Sequence, residues 1–378
     1  MEILKHIKAY VGPKKYLILS FVFAFANALF LLLFYIPAKH FSDTDVYVST
    51  IKSLSGDPSV LLSKTALIKP FYMVIGTLFH SFLDPEKSLI LQNIIFYFLS
   101  ALLIFLIVRK IYNNERQSFY SVVLYSAAYP MLAYGLAAII DTGGWFFYLL
   151  CIWLSLALIK NVNLKRVFLI GIIAGLGMLF KESVAAFPIF FFSFTALVLN
   201  IAPREKIKTF CIFSAGFFIP IIISNLIIYK LFSYSMFGDF LISWQTVADN
   251  HPKGSFYSYS FFRIAIEIAR VFFLGWIFVV LGAIKEYKEK NKERYKFILA
   301  LILPSLSFLL WSFPHNRMAF ISAPLIVLLG SFGLIRTGKN TKMNIFIELS
   351  CLVLYVAVNY FFLVFLLSYG EGLRNILI

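Results

Sequence analysis

The sequence predicts an all-α polytopic membrane protein with about 11 transmembrane helices, on three observations. Of its 378 residues 61% are hydrophobic and 14% charged, too little polar surface to cover so much apolar side chain in water. The apolar residues fall in repeated runs near the roughly 20 residues that a helix needs to cross a bilayer. The Lys and Arg residues stand in short clusters between those runs, as they do in cytoplasmic loops. The formal charge of +16 is therefore read as topology rather than as a nucleic-acid surface. Cys151, Cys211 and Cys351 lie inside apolar runs without metal-ligand spacing, so no disulfide framework is implied.

Taken in order, Lys5, Lys8, Lys14 and Lys15 precede the first apolar run, 17–37, which places the amino terminus in the cytoplasm and the next segment outside. The Ala26-Asn27-Ala28 triplet mimics a signal-peptidase site, but apolar sequence continues past it, so an uncleaved first helix is expected. The first external loop is 38–87, and within it 65–83 is the difficult segment, because its apolar part, 71–83, is short for a span. A run of that length suits an interfacial helix. A crossing there would also put Arg109, Lys110 and Arg116 outside, against the positive-inside rule. The chain then alternates through 88–108, 117–134, 143–159, 167–180, 185–199 and 210–228. A long external loop, 229–259, follows, and then 261–284, 297–313, 319–334 and 345–367. The whole chain, 1–378, reads as one transmembrane domain without a soluble one, and 229–259 as a partial lid. Every aspartate falls on the predicted outer side, although acidic residues were given no weight in the assignment. Gly171-x3-Gly175 marks a close helix–helix contact.

Polar chemistry collects at that outer face. KHFSDTDVY places Asp43 and Asp45 directly after the first crossing. A carboxylate beside hydrocarbon is costly to ionise, and its pKa is expected to be raised. A general base or a divalent-cation site would justify the pair; the plain alternative is that one of them caps the next helix. Asp141 in AAIIDTGGW has the same two readings, while Lys181-Glu182 is either part of a site or a structural ion pair. Arg263, Glu267 and Arg270 share one helical face, as site cations or as an ion-pair ladder. His315, Asn316 and Arg317 fill a short external turn, where Arg317 grips a phosphate through two oxygens or snorkels to the headgroups.

The order of SDTDVY, IKPFYMVIGTLF, LIVRKIYNNERQSFYSVVLYSAAYP, AAIIDTGGWFF, GIIAGLGMLFKESVAAFP and PHNRMAFISAPLIVLL resembles the GT-C superfamily of integral-membrane glycosyltransferases, in its polyprenyl-phosphate-sugar branch. That resemblance implies transfer of a sugar from a polyprenyl- or dolichyl-phosphate carrier to an acceptor hydroxyl of a lipid, glycan or protein, at the extracytoplasmic face. It implies a catalytic acid in the first external loop, matched by Asp43 with Tyr47 four residues on. Relatives often have two adjacent acids, whereas this chain has Thr44 and then Asp45, so either aspartate fits as base. Asp141 and Glu182 match positions that are often acidic, and Lys69 stands where a base commonly precedes the proline of the interfacial helix. Arg317, Arg270, Arg263, Lys69 and His315 are the candidate phosphate ligands; Tyr47, Asp141, Lys181, Glu182 and Glu267 are the candidate supports.

The chemistry is consistent with the resemblance. An acceptor hydroxyl needs a base as the glycosidic bond forms, and a departing lipid phosphate needs cations. A transporter or flippase would carry polar groups at mid-membrane and show repeat symmetry. An acyltransferase reading rests on the His40 and Asp45 spacing alone.

Overall fold

The computed structural model describes residues 14–36, 41–57, 59, 67–236, 238, 261–310, 315–336 and 340–369. All regular structure among them is helical. The predicted lid, 229–259, lies largely outside the described residues.

Helix α1 (Lys15–Phe30) runs into a π-turn at Leu31–Tyr35. Two short helices follow, α2 (Ser42–Leu54) and α3 (Pro70–His80). Then come α4 (Pro85–Tyr112), α5 (Glu115–Ser126), α6 (Tyr129–Tyr134), α7 (Asp141–Ser155), α8 (Leu164–Phe180), α9 (Ala186–Leu197) and α10 (Pro203–Phe232). The last third of the chain contains α11 (Phe261–Phe272), α12 (Gly275–Glu289), α13 (Lys292–Leu306), α14 (Asn316–Ala319), α15 (Ala323–Leu334) and α16 (Thr341–Tyr369).

Among the described residues, six helical stretches are long and apolar enough to cross a membrane, or seven if the bent α11–α12 pair is one span. Their burial separates centre from rim. In the Asn316–Leu334 stretch 89% of the apolar window is buried, against 28% for both Lys15–Tyr35 and Thr341–Phe365. The first and last helices therefore give most of their surface to lipid, while α14 and α15 sit inside the bundle.

Two predicted crossings are interrupted. The run 117–134 divides into α5 and α6 around Ala127 and Ala128, just before Pro130, which has no N–H for the preceding turn. The run 261–284 bends by 85° between α11 and α12, where Phe273 takes a positive φ of 40° ahead of Gly275. The glycine motif is a close contact, as expected. A Cβ on Gly171 would stand 2.3 Å from the Phe213 carbonyl oxygen, one on Gly175 2.3 Å from that of Phe217, and one on Gly216 2.3 Å from that of Phe168. The backbones of α8 and α10 thus touch, which only residues lacking a side chain allow.

Candidate functional site

Helix α2 opens at Ser42 after an extended Phe41, and neither aspartate caps it. Both carboxylates lie in its first turn, where the positive end of the helix favours them. At about 100° per residue, Asp43 and Tyr47 share a face and Asp45 points about 200° away from Asp43. Accordingly Tyr47 is buried, Asp43 half-buried and Asp45 exposed. The two aspartates do not face one centre.

From Asp43 a line of alternating charges runs into the protein. Arg317 Nη1 donates to Asp43 Oδ2 at 2.9 Å and lies 3.8 Å from Asp141 Oδ2. Lys181 Nζ stands 3.4 Å from Asp141 Oδ1 and 3.3 Å from Glu182 Oε1, and Lys69 Nζ reaches Glu182 Oε2 at 2.8 Å. Three carboxylates and three cations from five separated stretches of sequence thus form one chain of ion pairs. Its middle is closed and its Asp43 end open: the side chains of Asp141 and Lys181 are 2% exposed, those of Arg317 and Asp43 24% and 38%. Charges taken out of water this far are tolerable only because each has a counter-ion.

Local sequence accounts for the placement. Asp141 starts α7 directly after the irregular segment 135–140, which Asn93 of α4 holds by donating to the carbonyls of Ala137 and Ile139, each at 2.5 Å. Thr142 donates to Gly135 O at 2.6 Å from the other side. Gly143 and Gly144 admit the next partner: a Cβ on Gly143 would stand 2.0 Å from the Phe180 ring, and one on Gly144 2.8 Å from the Lys181 side chain. The Gly-Gly pair is therefore what lets Lys181 approach Asp141. Sequence reasoning passed over Asn93, Gly143 and Gly144. The signal for Asn93 was an amide inside an otherwise apolar crossing.

The Arg317 turn is set by two groups. His315 is the N-cap of α14, its Nδ1 accepting from Arg317 N–H at 3.3 Å. Glu267 of α11 accepts from Asn316 N–H at 3.0 Å with one oxygen and from Arg270 at 2.9 Å with the other. The Glu267–Arg270 pair is one rung of the expected ladder, and Glu267 supports the turn instead of joining the charge chain. The Arg263 side chain and His40 lie outside the described residues.

Electrostatics correct one expectation. Burial does push the Asp43 carboxyl up, but the charge and hydrogen bond of Arg317, with Lys181 and Lys69 behind, outweigh it and hold the carboxyl below its ordinary value. The expected raised pKa overlooked a partner 274 residues away. Burial also pushes the Tyr47 phenol well up, and the carboxylates of Asp43, Asp141 and Glu182 add to this against the opposing pull of Lys181. Tyr47 remains a hydrogen-bond donor at neutral pH. Burial lowers the Lys69 ammonium, and the pull of Glu182 does not make up the difference. Among the described residues no group of three or more His, Cys, Asp or Glu is arranged to hold a metal ion.

The structure is thus an apolar helical bundle that carries a line of paired carboxylates and cations. The family described as dolichyl-phosphate-mannose-protein mannosyltransferase matches residues 68–229, which include Lys69, Asp141, Lys181 and Glu182. The archaeal oligosaccharyltransferase AglB from Archaeoglobus fulgidus, solved with an inhibitory peptide and a dolichol-phosphate, has the same fold. Its TM-score is 0.61 at 14% identity, over 93% of this chain and 56% of that one. The oligosaccharyltransferase of that organism tethered to an acceptor peptide with an NVT sequon gives 0.60 at 13%, over 93% and 56%. This chain thus spans little more than half the length of those enzymes. A search of curated proteins gives no match. The family match thus covers part of the chain, and the solved structures, at 13–14% identity, show a shared fold.

Proposed function

We propose that this protein transfers a sugar from a polyprenyl- or dolichyl-phosphate carrier to an acceptor hydroxyl at the extracytoplasmic face, with Asp43 as general base and Arg317 as the grip on the donor phosphate. The observation that carries this reading is the Asp43–Arg317 pair at the more open end of an ion-pair chain whose middle is buried. A lipid phosphate bound by the oligosaccharyltransferase of like fold is in keeping with it, as is a peptide acceptor there. The supporting topology is the one read from sequence: eleven crossings, a cytoplasmic amino terminus, and α3 lying on the outer surface.

The resting pair suits a coupled step. Arg317 neutralises Asp43 while the site is empty. A donor phosphate competes for the guanidinium, which can bind two phosphate oxygens at once. Asp43 then loses the partner that held its pKa down and becomes a stronger base when donor is present. In transfer, the acceptor oxygen bonds to the anomeric carbon, the bond from that carbon to the phosphate oxygen breaks, and the acceptor proton passes to Asp43. The departing lipid phosphate takes the electron pair and gains charge, which Arg317 stabilises. Asp141 and Lys181 hold Arg317 and Glu182 in place from the dry side, and Lys69 closes the far end. Asp45, exposed on the opposite side of α2, is the weaker candidate for base.

The test is sugar transfer by the purified protein in vesicles holding a synthetic polyprenyl-phosphate sugar. Asp43→Asn should lose about 100-fold or more in rate while the protein stays folded, as expected for removal of a general base. Asp45→Asn should keep most activity. Activity retained in Asp43→Asn and lost in Asp45→Asn would reverse the assignment.

A further inference from the structure

A second polar–apolar site lies at the other end of the bundle. A cavity of about 440 Å³ opens between α4, the end of α7 and the start of α8, lined by Lys110, Trp153, Arg166, Leu169 and Ile173 among others. That volume is within the range of small-molecule pockets. Its cations stand at one end: Lys110 is in the last turn of α4 and Arg166 in the first turn of α8. Its neighbour Arg109 is neutralised by Glu115 at 2.9 Å, whereas neither Lys110 nor Arg166 pairs with a carboxylate among the described residues. From this end the walls run up α8 through Leu169 to Ile173, all apolar, with the Trp153 ring 38% exposed beside them. Trp at the border of cations and apolar wall is the arrangement of a membrane interface.

We propose that this cavity binds an anionic phospholipid of the membrane leaflet opposite the ion-pair chain, its phosphate between Lys110 and Arg166 and an acyl chain along Trp153 and Ile173. Charge decides the headgroup: two unpaired cations ask for net negative charge, which a zwitterionic headgroup does not supply, and basic pockets between membrane helices take such lipids. Distance sets it apart from the donor site. Arg166 and Lys181 lie at opposite ends of α8, about 22 Å apart along the axis at ~1.5 Å per residue. In a hydrocarbon core about 30 Å thick they belong near opposite leaflets. Apolar wall beyond the cations favours a lipid over a soluble phosphate.

Trp153 supplies the readout. The protein is reconstituted in phosphatidylcholine vesicles with increasing amounts of phosphatidylglycerol or phosphatidylcholine brominated on the acyl chain. Quenching of Trp153 is isolated as the difference between wild type and Trp153→Phe. Brominated phosphatidylglycerol should quench Trp153 at about a tenfold lower membrane fraction than brominated phosphatidylcholine, given two basic groups at the surface. Lys110→Gln with Arg166→Gln should abolish that preference while leaving the unquenched spectrum unchanged. Equal quenching by the two lipids, or a preference that survives the double substitution, overturns the proposal. So does displacement of brominated phosphatidylglycerol by millimolar inorganic phosphate, which would mark an anion site without a lipid chain, and so does stronger quenching by a brominated polyprenyl phosphate.

Discussion

Lys181→Met is the substitution whose cost the geometry defines best. The Lys181 side chain is 2% exposed and stands between Asp141 at 3.4 Å and Glu182 at 3.3 Å. Without it the chain holds three carboxylates and two cations, and Asp141 is left with Arg317 at 3.8 Å. Breaking a buried pair by removing one partner costs about 3–5 kcal/mol, a large part of the ~5–15 kcal/mol that keeps a protein folded. The informative experiment adds Asp141→Asn. The double variant retains Asp43 with Arg317 at 2.9 Å and Glu182 with Lys69 at 2.8 Å, two balanced pairs and no orphaned charge. It should therefore recover most of the loss, with a coupling energy of about 2–3 kcal/mol in a double-mutant cycle. Unfolding by SDS titration in mixed micelles, followed by tryptophan fluorescence, measures all four proteins. Additive single losses would refute the charge-balance reasoning.

Three further outcomes are expected. Gly171→Val should loosen the α8–α10 contact by about 1–3 kcal/mol in the same titration, because the new side chain meets the Phe213 carbonyl; wild-type stability would mean that the helices separate without cost. The depressed Asp43 carboxyl keeps its stabilising contribution above the ordinary value of 3.8 and loses it only as pH falls through the lower folded-state value. The infrared difference between wild type and Asp43→Asn should thus show an ionised carboxylate at about pH 5, and a protonated one there would contradict the Arg317 pairing. Cysteines replacing Ser81 and Glu86, both exposed, should react with an impermeant maleimide from outside, as the proposed topology requires, and reaction from the cytoplasm would refute the proposed placement of α3.

Charge scarcity made much of the site legible. In a chain this apolar each buried ion is conspicuous, and Asp43, Asp141, Lys181, Glu182 and Arg317 stand out on that ground, whereas Lys69 is singled out only by the family resemblance. Helix phase was harder: α2 begins without a side-chain cap, so nothing in SDTDVY marks its first residue, and Asp43 could not be told from Asp45. The depressed carboxyl was out of reach because its cause is a long-range partner. The bend after Phe272 was equally hidden, since a phenylalanine at positive φ has no sequence signature. The 85° bend separates two helices that hydropathy reads as one.

That corner gives the last helix a mechanical part in the site. Phe273, at φ 40°, is held in a conformation that costs a bulky residue energy, so something must pin it. Its ring stacks on Phe362 of α16 at 4.2 Å and meets Tyr129 of α6 edge-on at 5.8 Å. One turn and a half before the corner, Glu267 holds the backbone of Asn316, next to Arg317. Among the described residues helix α16 donates no group to the ion-pair chain, yet it pins the corner at the end of α11, whose Glu267 braces the turn that carries Arg317. An outer helix with little of its surface buried thereby has leverage on where Arg317 stands.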